Sequence, residues 1–189
     1  MENEKRVAVY IDGSNFYFKL RSKEIDFSNI TRFNYRGFAK WLAQDRKIVS
    51  NRYYVGVVRA GENNKKGQEL RKEQQRLFAH LTSPEQSFEI KKGYLMKSGN
   101  LYHEKGVDAQ LAVDLLVDAY EDRYDTAIIV SSDTDLIPAV KKVKDLGKEV
   151  EYIGFAHQPS FALQRNATLS RLLIKNELKL FNFKRLQIS

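Results

Sequence analysis

The sequence predicts an α/β protein, a three-layer α/β/α sandwich around a mainly parallel central sheet. Short apolar runs rich in Val, Ile and Tyr alternate along the chain with longer segments whose apolar residues recur at helical spacing. Such alternation implies βαβ crossovers, which make neighbouring strands parallel and put helices on both faces. A chain of 189 residues, 42% hydrophobic and 12% aromatic, is long and apolar enough for one sizeable core, so residues 1–189 are read as a single domain.

The elements follow in order. RVAVYI, 6–11, is a first strand, and 14–22 begin a helix or turn rich in aromatics, with Phe16, Tyr17 and Phe18 read as core. FNYRGFAKWLAQ, 33–44, sets Phe38, Trp41 and Leu42 at helical spacing. RYYVGVV, 52–58, is a second strand and RAGENNKKG, 59–67, a polar loop with two glycines. QELRKEQQRLFAHL, 68–81, is an amphipathic helix carrying Leu70, Leu77 and Leu81. FEIKKGYLM, 88–96, is a third strand, followed by a polar loop over 97–106. VDAQLAVDLLVDAYED, 107–122, is a strong helix and TAIIVSS, 126–132, the most apolar strand. DLIPAVKKVKDLG, 135–147, is a helix with Pro138 in its first turn, where a missing N–H costs little, and Gly147 at its end. EVEYIGF, 149–155, is a fifth strand. From about 159 to 189 one or two helices and a basic tail are expected.

Composition removes several classes of function. There is no cysteine, so disulfides and thiolate metal sites are excluded, and any metal is held by oxygen or imidazole. His80 and His157 are scattered and suggest no zinc site. No apolar run approaches the ~20 residues that span a bilayer. The start MENEKR is not a signal peptide, so a cytoplasmic protein without a membrane partner is expected. A formal charge of +8, from 32 Lys and Arg against 24 Asp and Glu, favours a polyanion, of which nucleic acid is the commonest. A homodimer stays open.

Against this background several carboxylates stand out. Asp12 ends the first strand, and Asp133 and Asp135 follow the fourth. In open parallel sheets ligands bind outside the carboxyl ends of the strands, so these three share the functional edge. A helix N-cap accounts for one of the pair Asp133 and Asp135, but not for both, nor for Asp12 behind a different strand. On the helix 107–122, Asp114 and Asp118 fall with Gln110 and Glu121 on a polar face and read as solvated charges. Asp108 heads a stripe of Leu111, Ala112 and Leu115 and is expected to point towards the sheet, where a lone buried carboxylate is costly unless paired or coordinated. Converging carboxylates need a counter-charge. Lys105 supplies one; a divalent cation such as Mg²⁺ or Mn²⁺ suits an all-carboxylate site and activates water against a phosphodiester.

The motifs YIDGSN, KGVDAQLAVDLL and SSDTDLIPAVKKVKDLGKEV, in this order across residues 6–156, resemble the NYN domain, the LabA-like branch of the PIN-like nucleases. The resemblance implies a PIN-like fold and a Mg²⁺- or Mn²⁺-dependent ribonuclease. It assigns Asp12, Asp108 and Asp133 to the metal, with Asp135 and Asn15 close by, and matches Lys105 to the lysine of the KGVD-like motif. Family members often keep an acid where Asp114 stands. They often have an aspartate near Thr168, where this sequence departs from the pattern.

Loops that follow parallel strands share the carboxylate edge. Arg59, Lys65 and Lys66 from one loop, and Lys97, His103 and Lys105 from the next, are therefore placed around the site as contacts for an RNA backbone. Tyr94 and Tyr102 are open to base stacking or to ordinary packing. The expected function is a metal-dependent endoribonuclease acting on RNA, single-stranded by preference. The alternative is a non-catalytic RNA-binding or regulatory module on the same fold. A serine hydrolase lacks a histidine placed beside Ser14. An aspartyl phosphatase needs a second acid where Ser14 stands.

Overall fold

The computed structural model describes residues 4–27, 29–58, 64–98 and 101–183, and for 94–98 and 101–105 the backbone alone. Six strands form one sheet in the order β3-β2-β1-β6-β7-β8, and every neighbouring pair is parallel. The strands are β1 (Arg6–Asp12), β2 (Lys47–Val55), β3 (Glu89–Lys92), β6 (Thr126–Val130), β7 (Glu149–Phe155) and β8 (Leu169–Leu173). A separate antiparallel hairpin joins β4 (Tyr94–Ser98) to β5 (Leu101–Lys105). The helices are α1 (Gly13–Leu20), α2 (Tyr35–Ala43), α3 (Lys65–Leu81), α4 (Val107–Tyr120), α5 (Ile137–Asp145), α6 (Phe161–Asn166) and α7 (Lys175–Lys179).

Strand alternation divides the core in two. Val7, Val9 and Ile11 of β1 face one layer with Ile128, Val130, Ile153 and Phe155, packed by Phe16, Leu20, Phe38, Leu42, Leu77 and Leu178 of α1, α2, α3 and α7. Ala8 and Tyr10 face the other layer with Ala127, Ile129 and Tyr152, packed by Leu111, Leu115, Val140, Val143 and Leu163 of α4, α5 and α6. Strands buried on both faces read as continuous apolar runs, which is why β1, β6 and β7 are legible in the sequence. The result is the expected α/β/α sandwich. Among the described residues no helix is long and apolar enough to cross a membrane.

Three elements differ from the sequence expectation. The expected strand 88–96 is broken at Gly93, whose backbone lies so close to Val107 that an added Cβ would sit 2.3 Å from its side chain. The chain leaves the sheet there, and within the expected polar loop 97–106 Lys97 and Ser98 end β4 and Leu101–Lys105 form the return strand β5. The hairpin is held by backbone pairing between its two strands. Beyond residue 159 the chain is not purely helical, because β8 pairs with β7 as the sixth strand. It is an edge strand with only Leu173 fully buried, so its apolar signal is weak. Finally, α3 begins at Lys65 rather than 68, because Asn64 accepts from the Gly67 amide at 2.9 Å and caps it.

Candidate functional site

The strand order reverses direction at β1. Connections run outward through β2 and β3, then return to β6 on the other side of β1 and proceed through β7 and β8. The crevice beyond the carboxyl ends of β1 and β6 is therefore the topological switch point of the sheet.

Asp12 stands at that point, 4% exposed. Its Oδ1 accepts from the Asn15 amide at 3.0 Å and so caps α1, and its Oδ2 accepts from the Ser131 hydroxyl at 2.7 Å. Gly13 lets the start of α1 press against β2, since a Cβ there would lie 2.2 Å from the Tyr53 ring and 2.6 Å from the Tyr54 carbonyl. The stretch DGSN thus has a local account: a cap, a close approach, and a donor at Asn15. Burial pushes the Asp12 carboxyl above its ordinary pKa, and the nearby charge of Asp133 adds to this, while the amides of Asn15 and Ser14 and the Ser131 hydroxyl oppose it.

Asp133 is half-buried past the end of β6. It caps the short 3₁₀ turn Thr134–Leu136 by accepting from the Asp135 amide at 2.9 Å, and its own amide donates to Ser131 Oγ at 3.1 Å. Ser131 therefore links the Asp12 carboxylate to the backbone amide of Asp133. It is absent from the residues the sequence singles out, although its place one residue after a buried strand is a usable signal. Asp135 is exposed.

The rest of the expected set divides. Asp108 lies in the first turn of α4, but it is exposed rather than turned into the core. The inward face of α4 is Val107, Leu111, Leu115 and Asp118, with Asp114 half-buried beside it. The two acids expected to be solvated are thus the inward ones. Asp118, 2% exposed, accepts from Tyr10 Oη at 2.6 Å and from Arg123 at 2.9 Å, and pairs with the Arg52 guanidinium. Asp114 accepts from Tyr54 Oη at 2.9 Å and from Gln110 at 2.7 Å. An apolar stripe of Leu and Ala does not register carboxylates whose burial is made tolerable by arginine and tyrosine donors. Tyr54 is the register partner of Asp12, so Asp114 braces the strand beside the site. Six residues of helix rise, roughly 9 Å, carry Asp108 beyond Asp114 towards the open edge.

Asn15 is half-buried, and Lys65 and Lys66 are exposed in the first turn of α3. That turn lies at the carboxylate edge, because α3 begins after the carboxyl end of β2. Arg59 lies outside the described residues, as do the side chains of Tyr94, Lys97, Tyr102, His103 and Lys105. Lys105 ends β5, and Gly106, at φ +95°, turns the chain into α4. Thr168 lies at the opposite edge, bonded to Val150 near the start of β7, so a residue there has no part in this site. Two further polar groups stand at the strand ends: Ser132 Oγ and both ring nitrogens of His157 are buried with no hydrogen-bond partner among the described residues. Burial pushes the His157 ring below its ordinary pKa, so it is neutral at pH 7.

Among the described residues no three His, Asp or Glu side chains gather into a metal cage. The donors at the switch point fit a hard cation nonetheless. Mg²⁺ keeps several waters and is commonly held by one or two carboxylates plus substrate phosphate. Asp12 and Asp133, whose charges interact, are the carboxylates that would hold it.

Fold and site together define a doubly wound α/β protein of PIN-like type with acids at its switch point. The chain belongs to the NYN domain family, which matches residues 6–172 and so includes most of β8. It is similar to the crystal structure of a protein of unknown function from Vibrio parahaemolyticus, at 19% identity and a TM-score of 0.63, over 92% of this chain and 95% of that one. At that identity the likeness shows the fold alone. None of the curated proteins matches the sequence.

Proposed function

We propose that this protein is a metal-dependent endoribonuclease of the LabA-like branch that hydrolyses phosphodiester bonds in single-stranded RNA. The observation that carries the reading is the Asp12 carboxylate, buried at the switch point and tied through Ser131 Oγ to the backbone amide of Asp133. A buried carboxylate whose pKa is raised by burial and by the charge of Asp133 is costly to the apo protein and useful to a cation. A divalent cation bound there supplies Lewis acidity and a nucleophilic water at neutral pH.

The chain's own residues do the rest. Asp12 and Asp133 hold the charge, and Ser131 fixes the orientation of Asp12. Lys65 and Lys66, with Lys105 and Arg59 by sequence, attract the phosphate backbone. Asp108 and Asp135 stand towards the rim, where they hold water or a second cation. A net charge of +8 brings RNA to the surface, and the acids repel it locally until a cation neutralises them.

The experiment is incubation of the protein with end-labelled single-stranded RNA in Mn²⁺ and in EDTA, beside Asp133→Asn. Cleavage in Mn²⁺ that disappears in EDTA and in the variant supports the reading. Equal cleavage by the variant ends it. A second reading, an RNA-binding module without catalysis, draws on the exposure of Asp108 and on the lack of a three-acid cluster among the described residues. Metal-independent RNA binding without cleavage would favour it.

A further inference from the structure

A cleft of about 390 Å³ opens between α1 and α3, immediately beside the acidic edge. Its floor is Tyr53 and Val55 of β2 with Gly56 just after it, and Gly13 and Ser14 form the end nearest Asp12. One wall is Tyr17 and Phe18 of α1; the other is Leu70, Glu73, Gln74 and Leu77 of α3, a stripe at helical spacing. Its size is in the range of small-molecule sites. The walls are fixed in advance: the Gln74 side chain accepts from the Val58 amide at 2.8 Å and donates to the Gly56 carbonyl at 2.6 Å, and Tyr53 Oη donates to the Gly13 carbonyl at 3.2 Å.

The sequence places Phe16, Tyr17 and Phe18 together in the core, but of the three only Phe16 is there. Phe18 is 70% exposed and Leu70 is 42% exposed. The Phe18 ring stands edge-on to Tyr17, with centroids 5.5 Å apart, and the Arg21 guanidinium lies 5.2 Å from the Tyr17 ring centre. Two adjacent aromatic rings at the mouth of a polar-tipped cleft carry a large apolar surface that the fold itself leaves uncovered.

We propose that this cleft binds one unpaired nucleobase of an RNA strand whose neighbouring phosphate lies at the Asp12 edge. Three features select this occupant. Aromatic faces at the mouth are what single-stranded nucleic acid uses for stacking. Cations flank the cleft on both sides, Lys65 and Lys66 one turn before Leu70 and Arg21 one turn after Phe18, so a backbone entering or leaving it meets positive charge. And Gly13 and Ser14, which line the cleft, directly follow Asp12, so the cleft adjoins the acidic end of β1. Glu73, exposed along the wall, accepts from an exocyclic amine and favours an amino-bearing base over uracil. The inference rests on the RNA reading above and adds to it the subsite that grips the base.

The test uses binding rather than cleavage. RNA decamers carrying one abasic position, moved along the strand, are titrated in EDTA against the wild type, Phe18→Ala and Leu70→Ala. Both side chains are exposed, and circular dichroism confirms the fold. With wild type, one abasic position weakens binding about five- to a hundredfold, the value of one stacked base. Phe18→Ala weakens intact RNA by a similar factor and no longer responds to that abasic position, while its salt slope stays that of the wild type. Leu70→Ala behaves alike with a smaller loss. If wild type binds RNA and Phe18→Ala binds it equally, the base cleft is wrong and the ribonuclease reading stands. If wild type binds no RNA either in EDTA or with Ca²⁺ supplied as the cation, that reading fails and takes this inference with it. A change of oligomeric state in Phe18→Ala, with RNA affinity unchanged, makes the cleft a protein contact and overturns the proposal.

Discussion

The Ser131 hydroxyl donates to Asp12 Oδ2 at 2.7 Å. Ile11 and Val130 are register partners, so Asp12 and Ser131 are the next residues of two paired strands. That adjacency puts a donor against a buried carboxylate and, through the Asp133 amide, holds the second acid nearby.

Asp12→Asn keeps the cap and the shape and removes the charge. Because burial and Asp133 raise the folded-state pKa of Asp12, the group favours folding only while protonated, and that contribution is lost as pH rises through the raised value. Above it the ionised acid is a cost. In EDTA the melting temperature of Asp12→Asn should therefore equal or exceed that of wild type, with the gap opening between the ordinary carboxylate range and the raised pKa and staying constant above it. In Mn²⁺ the order should reverse, and RNA cleavage should fall by at least about a hundredfold. A variant less stable than wild type in EDTA at pH 8 would contradict the placement of this acid.

Ser131→Ala removes the donor and leaves the Asp133 amide without its acceptor. The Ser131 bond opposes the rise in Asp12 pKa, so its loss moves that pKa further up. Cleavage should fall about 10- to 100-fold, as for other groups that support metal ligands. The acid limb of the pH–rate profile should shift to higher pH. A profile that drops uniformly without shifting would show a merely structural part.

Asp118→Ala tests the brace beneath the site. It strips the buried partner from Arg52 and leaves Tyr10 Oη unbonded. Breaking a buried pair of this kind costs about 3–5 kcal/mol, readable by urea denaturation. Asp114→Ala should cost less, about 1–2 kcal/mol, because its main loss is the Tyr54 and Gln110 bonds. If Asp118→Ala unfolds at the wild-type urea midpoint, the buried ion pair does not hold α4 to β1 and β2.

Lys65→Ala with Lys66→Ala should weaken RNA binding and flatten its salt dependence. On single-stranded RNA the log–log slope should change by about 0.7 for each phosphate that the lysines no longer neutralise. Turnover at saturating RNA should stay near wild type, since neither lysine touches the acidic pair. Affinity measured across a salt series, with and without Mn²⁺, gives both quantities. An unchanged slope would place the backbone elsewhere.

By itself the sequence determined the sandwich, the parallel strands and the acids at their ends. Val7 to Ile11, Thr126 to Val130 and Tyr152 to Phe155 are buried on both faces, and burial of that kind leaves apolar runs that local reading recovers. Asp12, Asp133, Pro138 and Gly147 mark element ends, where residue choice follows backbone geometry. Tertiary structure decided the rest. The phase of α4 depends on Arg52 and Tyr10, 66 and 108 residues before Asp118, whose donors make an inward acid tolerable. The edge strand β8 and the hairpin β4–β5 carry little apolar pattern, because backbone pairing supplies what side chains do not. Ser131 becomes a partner of Asp12 only through strand pairing across 119 residues. The exposure of Phe18 beside a buried Phe16 depends on which side of a short helix meets the sheet, and that packing is non-local.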